Sequence, residues 1–237
     1  MAEPGDDDYI SSSFSDVVWL HGAGLSSSTW RNDFGGIKPD FPGHNHVACI
    51  TNPSVERYAD YIEPQLPDRF ALVGHSLGGM VALELAARHP QKVRGLVLAE
   101  AVPTVRQTTS SILLARLSKA IMSHVSPKRL AWLSGLAEPE IVRQHLHEQI
   151  GQMDVQGIKD GLEAAIQYDG RPHLPHIEAP TLVITGERNK ATNAGAKLFC
   201  SSIGHARLVT MPGGHILHVE NADQFYAVIF QFLGDKP

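Results

Sequence analysis

Ser76 lies in the run Gly74-His75-Ser76-Leu77-Gly78-Gly79, between the apolar stretch FALV and the amphipathic segment MVALELAAR. A serine between glycines at a strand-to-helix junction is an arrangement that makes a nucleophile. The chain must turn sharply there, which pushes the serine into a strained, exposed backbone position. Gly74 and Gly78 let backbone pass close to it, and Gly79 lets the helix pack tightly. Amide N–H groups of the first helical turn then lie beside the hydroxyl. A merely structural Gly/Ser turn has no need of glycines on both sides of one serine. The chemistry implied is nucleophilic catalysis by a hydroxyl.

Such a hydroxyl needs a scaffold, and short apolar runs alternating with helical periodicities supply one. Asp16–Leu20, His46–Ile50, Phe70–Val73, Val93–Ala99, Thr181–Thr185 and Ala206–Met211 are the predicted strands. They are continuously apolar, as strands buried on both faces should be. Val55–Leu66, Met80–Arg88 and Ala222–Leu233 read as helices between or after them. The expected class is α/β, a mostly parallel sheet flanked by helices. One interval breaks the alternation. Residues 101–176 hold only leucine-rich helical patterns, punctuated by Pro127, Pro139, Gly151 and Gly161 as at helix boundaries. The expected organisation is a flexible acidic tail over residues 1–15, a core over 16–100 and 177–237, and a helical cap inserted at 101–176.

Bulk properties narrow the function further. The 237 residues are 43% hydrophobic and 19% charged, an ordinary globular balance. A formal charge of −5 provides no basic field, which argues against nucleic acid or anionic membrane surfaces as partners. Two cysteines, Cys49 and Cys200, make no disulfide framework and are expected as partly buried thiols in a reducing compartment. The start, MAEPGDDDYISSS, lacks the charged and apolar regions of a signal peptide, so a cytoplasmic location is expected. No ligand cluster or nucleotide loop is visible, so neither metal nor organic cofactor is expected. His145 and His147, at i and i+2, would face different sides of a helix and make a poor metal pair.

With GHSLGG in this setting, the sequence resembles the α/β-hydrolase superfamily over nearly its whole length. Trp19-Leu20-His21-Gly22-Ala23-Gly24 is similar to the family's His-Gly loop, and the resemblance implies an oxyanion hole from the N–H groups of Ala23 and Leu77. Two such donors suit acyl transfer. Met211-Pro212-Gly213-Gly214-His215 resembles the strand, turn and histidine that supply the general base, which implies that role for His215. His218, His21 and His75 are expected to pack or hydrogen-bond locally. Two departures stand out. Only about fifteen residues precede the His-Gly strand, leaving space for at most one edge strand near Tyr9–Phe14. Asp40–Asn45, DFPGHN, looks like the family's D-x-P-G-H-G loop but precedes the predicted strand His46–Ile50 instead of following it, and is therefore expected to be a look-alike.

The acid is the open point. The resemblance places it in the turn Gly186-Glu187-Arg188-Asn189, where Asn189 is neutral. An amide in place of the carboxylate of a serine-protease triad costs on the order of 10⁴ in turnover. Glu187 is expected to be a surface partner of Arg188 or Lys190. Glu100, at the end of the predicted strand Val93–Ala99, would be a carboxylate in apolar surroundings in need of a partner. Haloalkane dehalogenases of this superfamily take their acid from that strand end, so Glu100 is placed ahead of Asn189. The implied function is hydrolysis of a small or medium carboxylic ester, or a lactone, through an acyl-Ser76 intermediate. Leu113, Leu114, Ile121, Met122, Trp132 and Leu133 are candidates for an apolar pocket or for cap core. Alternatives are a lyase or carbon–carbon hydrolase using the same site, and a non-hydrolytic ligand-binding relative, for which Asn189 is the main support. Fold and triad do not choose among them.

Overall fold

The computed structural model describes residues 14–106, 126–151 and 153–234. Five strands form one sheet in the order β1 to β5, every neighbouring pair parallel: β1 Val17–Leu20, β2 Phe70–His75, β3 Val93–Ala99, β4 Thr181–Gly186 and β5 Ala206–Met211. Strands β1 to β4 are mostly apolar because their side chains alternate between two buried layers. Val18, Leu20, Leu72, Leu96, Leu98 and Val183 point into one layer. There they meet helices α1 (Val55–Ile62) and α2 (Leu77–Arg88) and Phe199 of α6 (Lys190–Ser202). Val17, Trp19, Val73, Val97, Leu182 and Ile184 point into the other, against Phe225, Tyr226, Ile229 and Leu233 of α8 (Ala222–Gly234). The short α7, Leu217–Glu220, precedes α8. Edge strand β5 departs from the predicted burial: Leu208 is 42% exposed, and only Met211 of this strand is buried.

Between β3 and β4 no described residue lies in a strand, and the interval holds α3 (Pro127–Gly135), α4 (Glu140–Ile150) and α5 (Val155–Gln167). Pro127 opens α3, Pro139 precedes α4, Gly151 ends it, and Asp154 caps α5 by accepting from the N–H of Gln156. Leu113, Leu114, Ile121 and Met122 lie outside the described residues. Trp132 and Leu133 are exposed at 53% and 47%, which fits neither a pocket wall nor helical core. Much of the acidic tail and of the expected Tyr9–Phe14 edge strand is likewise outside the described residues, and Phe14 itself sits in a turn. Among the described residues no helix is long and apolar enough to cross a membrane.

Several expectations are corrected. His46–Ile50 is not a strand. Its carbonyls at Val47 and Ala48 fold back onto the N–H of Gly43, and Cys49 is exposed rather than partly buried. The place beside β1 is taken by Ile37, which forms an isolated parallel bridge with Val18; its N–H donates to Val17 O and its carbonyl accepts from Trp19 N–H, both at 2.8 Å. The DFPGHN loop therefore follows a strand-like residue at the sheet edge, the order its resemblance requires, and it is no look-alike. Apolar composition suggested the wrong five residues because one backbone bridge leaves little trace in a sequence.

Gly161 is also not a helix boundary. It lies inside α5, one turn after Gly157, and both press on the loops beneath. A Cβ at Gly161 would meet Ala23 Cβ at 3.1 Å and Leu77 Cδ2 at 3.3 Å, and one at Gly157 would lie 1.6 Å from Gly43 O. Alanine at 157 would gain about 1 kcal/mol of helix propensity, but overpacking against rigid backbone costs about 1–3 kcal/mol. Gly157→Ala is expected to lower the urea midpoint of unfolding, and an unchanged or raised midpoint would mean that α5 is not pressed onto the Asp40–Asn45 loop.

Candidate active site

Two non-glycine residues at positive φ stand at the carboxyl ends of adjacent strands. Ser76 follows β2 with φ 53° and ψ −116°, and Glu100 follows β3 with φ 50°. Such conformations cost of order 1–3 kcal/mol each and persist only where the surroundings enforce them. Here the enforcement is visible. Ser76 N–H donates to Ala99 O at 2.9 Å, and Glu100 N–H donates to Ile184 O at 2.8 Å, tying each residue to the next strand. The glycines around Ser76 are sterically required. A Cβ on Gly74 would lie 2.3 Å from Gly78 O, and one on Gly78 would lie 2.1 Å from Leu20 O.

The loop after β1 runs past this turn. Its conformation is set by two buried neutral histidines. His21 donates from Nδ1 to Gly22 O and accepts the Phe41 N–H at Nε2. His44, from the DFPGHN loop, donates from Nδ1 to Pro42 O and accepts the Gly24 N–H at Nε2. Ala23, between these anchors, spends its N–H on no described acceptor. Leu77 is the first residue of α2, where helix geometry offers its N–H no intrahelical acceptor.

His215 arrives from β5 through Pro212-Gly213-Gly214, with Gly213 at φ 145°. Gly214 N–H donates to Glu220 Oε2 at 2.7 Å, and Glu220 is gripped by both Arg188 Nη1 and Nη2 at 2.6 and 2.9 Å. The exposed Arg188 thus joins the turn after β4 to the turn bearing His215. His75 Nε2–H donates to His215 O at 2.8 Å, and the two rings are 4.9 Å apart. His215 is therefore held beside the residue that immediately precedes Ser76. Ser76 Oγ itself makes no hydrogen bond to a described residue, and contacts of this kind often tighten only in the substrate complex.

The ring nitrogen Nδ1 of His215 meets both candidates for the acid. Asn189 Nδ2 lies at 2.9 Å and Glu100 Oε2 at 3.4 Å. Glu100 is 1% exposed, and a carboxylate so placed needs donors. It has them: Gly186 N–H on Oε1, then Asn189 Nδ2 and the Thr192 hydroxyl, the latter at 2.9 Å, on Oε2. With an ionised Glu100 the amide must present its nitrogen, because two facing oxygens would repel. Glu187 is exposed and takes no part in this cluster. Thr192, in the first turn of α6, carried only one sequence signal, its spacing three residues after Asn189. Arg188 escaped it as well, since nothing local marks which arginine will reach Glu220.

Four buried histidines surround the site, and burial pushes each below the ordinary value near 6.5. His21 and His218 fall to about 3; His44 is lowered, and His75 lies well below. Desolvation leads in every case, helped for His75 by His218 and His215 and for His21 by His44. Among the described residues no group of three or more metal-ligating side chains is assembled.

A match to the model of the alpha/beta hydrolase family covers residues 17–228, and the chain belongs to that family. A pimeloyl-[acyl-carrier protein] methyl ester esterase from Vibrio vulnificus is 26% identical over 230 residues, covering 83% of this chain and 89% of the relative. A Yersinia enterocolitica protein named for carbamate hydrolysis is 30% identical over 197 residues, covering 75% of this chain and 68% of its own. Among solved structures, a hydrolase from Pseudomonas aeruginosa PA01 superposes with a TM-score of 0.80 at 24% identity, covering 94% of this chain and 91% of the other, which supports the fold.

The histidine environment has a consequence for stability. These imidazoles are neutral in the fold, so as pH falls below about 6.5 the unfolded chain binds protons first and stability is lost. The loss continues down to about 3 for His21 and His218. Each such histidine contributes roughly 1.4 kcal/mol per pH unit within its window. The urea midpoint is expected to drop steeply between pH 7.5 and 5, and His218→Gln is expected to flatten that slope. A midpoint constant over the range would contradict the neutral assignment.

Proposed function

We propose that this protein is a serine hydrolase cleaving a small or medium carboxylic ester, or a lactone, through an acyl-Ser76 intermediate. The observation that carries the reading is the convergence of a strained Ser76, His215 and the buried Glu100 carboxylate, 3.4 Å from His215 Nδ1. The relatives named as methyl ester esterases favour an ester as substrate.

His215 accepts the Ser76 proton at Nε2 as Oγ attacks the carbonyl carbon, then returns it to the leaving alcohol. Ala23 and Leu77 N–H groups receive the developing oxyanion, where one donor is worth about 3–4 kcal/mol. Water, activated by His215, then releases the acid. Throughout, Nδ1 must keep its proton, and an acceptor must face it. Glu100 Oε2 is that acceptor; the Asn189 Nδ2 hydrogens must then point to Glu100 and away from the ring, because Nδ2 lies 2.9 Å from Nδ1 and two donors cannot bond one another. Asn189 then acts as a positioning residue for the charge rather than its source. The described helices between β3 and β4 act as the cap, a reading supported by the contacts of α4 and α5 with the loops at the carboxyl ends of the strands.

Turnover of a chromogenic butyrate ester and labelling by a fluorophosphonate test the reading together. Ser76→Ala is expected to abolish both, whereas an unmodified Ser76 in the native protein, with no turnover, would favour a ligand-binding protein. Glu100→Gln is expected to lower kcat by about 10³–10⁴. Asn189→Asp leaves the Glu100 carboxylate in place and is expected to change turnover little. Full activity in Glu100→Gln, or a gain of activity in Asn189→Asp, would move the acid to position 189.

A further inference from the structure

Helix α4 touches both catalytic loops with two polar side chains one turn apart. Gln149 and His145 are spaced i and i+4 and so share a face. Gln149 Oε1 accepts from the N–H and the hydroxyl of Ser26 at 2.9 and 2.8 Å, and its Nε2 donates to Ser28 Oγ at 2.9 Å. His145 Nε2 lies 2.8 Å from the buried Thr29 hydroxyl, which lies 2.7 Å from His218 Nε2. One hydroxyl hydrogen serves the two imidazoles, so Thr29 donates to one and accepts from the other. Ser26 is three residues beyond Ala23, and His218 is three residues beyond His215. Apolar contacts on the same face reinforce the grip: Leu146 and Ile150 pack in one cluster with Leu25 and with Ile216, the neighbour of His215.

We propose that α4 is a positioning clamp: Gln149 holds the oxyanion loop, and His145 through Thr29 holds the turn that carries the base. This rests on the reading of Ser76, Ala23, Leu77 and His215 given above. It assigns to the segment between β3 and β4 a part in the chemical step, beyond covering substrate. His218 couples onward, its ring packing 4.7 Å from that of His75, which binds the carbonyl of His215. Neither Gln149 nor His145 touches the reacting atoms; both act through the loops they hold.

A clamp and a substrate wall differ in what they change. Small misplacements of catalytic groups reduce turnover strongly, so Gln149→Ala and Thr29→Val are each expected to lower kcat on p-nitrophenyl butyrate about 10-fold with KM within about twofold. The inhibition constant of a trifluoromethyl ketone, which forms an oxyanion on Ser76, should rise in parallel with the loss of kcat. Thr29→Ser, which retains the hydroxyl, should recover most of the activity lost in Thr29→Val. Gln149→Met, which keeps the length of the side chain but removes the Ser26 acceptor and the Ser28 donor, replaces Gln149→Ala if the latter does not fold, with the same loss of kcat expected. Variants with kcat and ketone affinity unchanged, or with only KM altered, would overturn the clamp. If Ser76→Ala retained turnover, the site reading would fail instead; an inactive Ser76→Ala beside a fully active Gln149→Ala would refute the clamp alone.

Discussion

A carboxylate with 1% exposure has to be met by donors, and the arrangement around Glu100 follows from that demand. Gly186 supplies an N–H from the end of β4, Thr192 a hydroxyl from α6, and Asn189 an amide from the turn between them. The remaining approach to Oε2 is from His215. Glu100 can stand there only because its backbone adopts φ 50° at the end of β3, a conformation pinned by its N–H on Ile184. Strain, burial and hydrogen bonding at this one residue thus tie β3, β4 and the turn after β5 into a single unit.

The parallel sheet makes that unit possible. Ser76, Glu100, Asn189 and His215 come from the carboxyl ends of four neighbouring strands, β2 to β5, so a fixed register of backbone hydrogen bonds sets their separations. The loop after β1 closes the opposite side, held by His21 and His44 in neutral, single-tautomer roles. Helices α4 and α5 lie across the loops, the first by side-chain hydrogen bonds and the second by glycines that allow near-contact with Ala23 and Leu77.

Much of this was legible in the sequence, for physical reasons that differ by element. β2, β3 and β4 were found because burial on both faces demands continuous apolar runs. The Ser76 turn was found because its backbone tolerates only glycine at 74 and 78. His46–Ile50 misled by the same logic, since an apolar pentapeptide at the surface looks like a strand until its carbonyls are traced to Gly43. Asn189 looked like a defect because linear sequence hides that Glu100, 89 residues earlier, is its hydrogen-bond partner. Thr29 and Gln149 are common residue types whose roles arise only from three-dimensional approach, and no local pattern marks them.

The central claim is that the charge facing His215 resides on Glu100, with the imidazole proton on Nδ1. ¹⁵N NMR of histidine-labelled protein, recorded with a boronic acid adduct on Ser76, reads that proton directly. A protonated Nδ1 whose low-field proton resonance is lost in Glu100→Gln and kept in Asn189→Ala is the predicted result. An unprotonated Nδ1, or a resonance that depends on Asn189 and ignores Glu100, would contradict it.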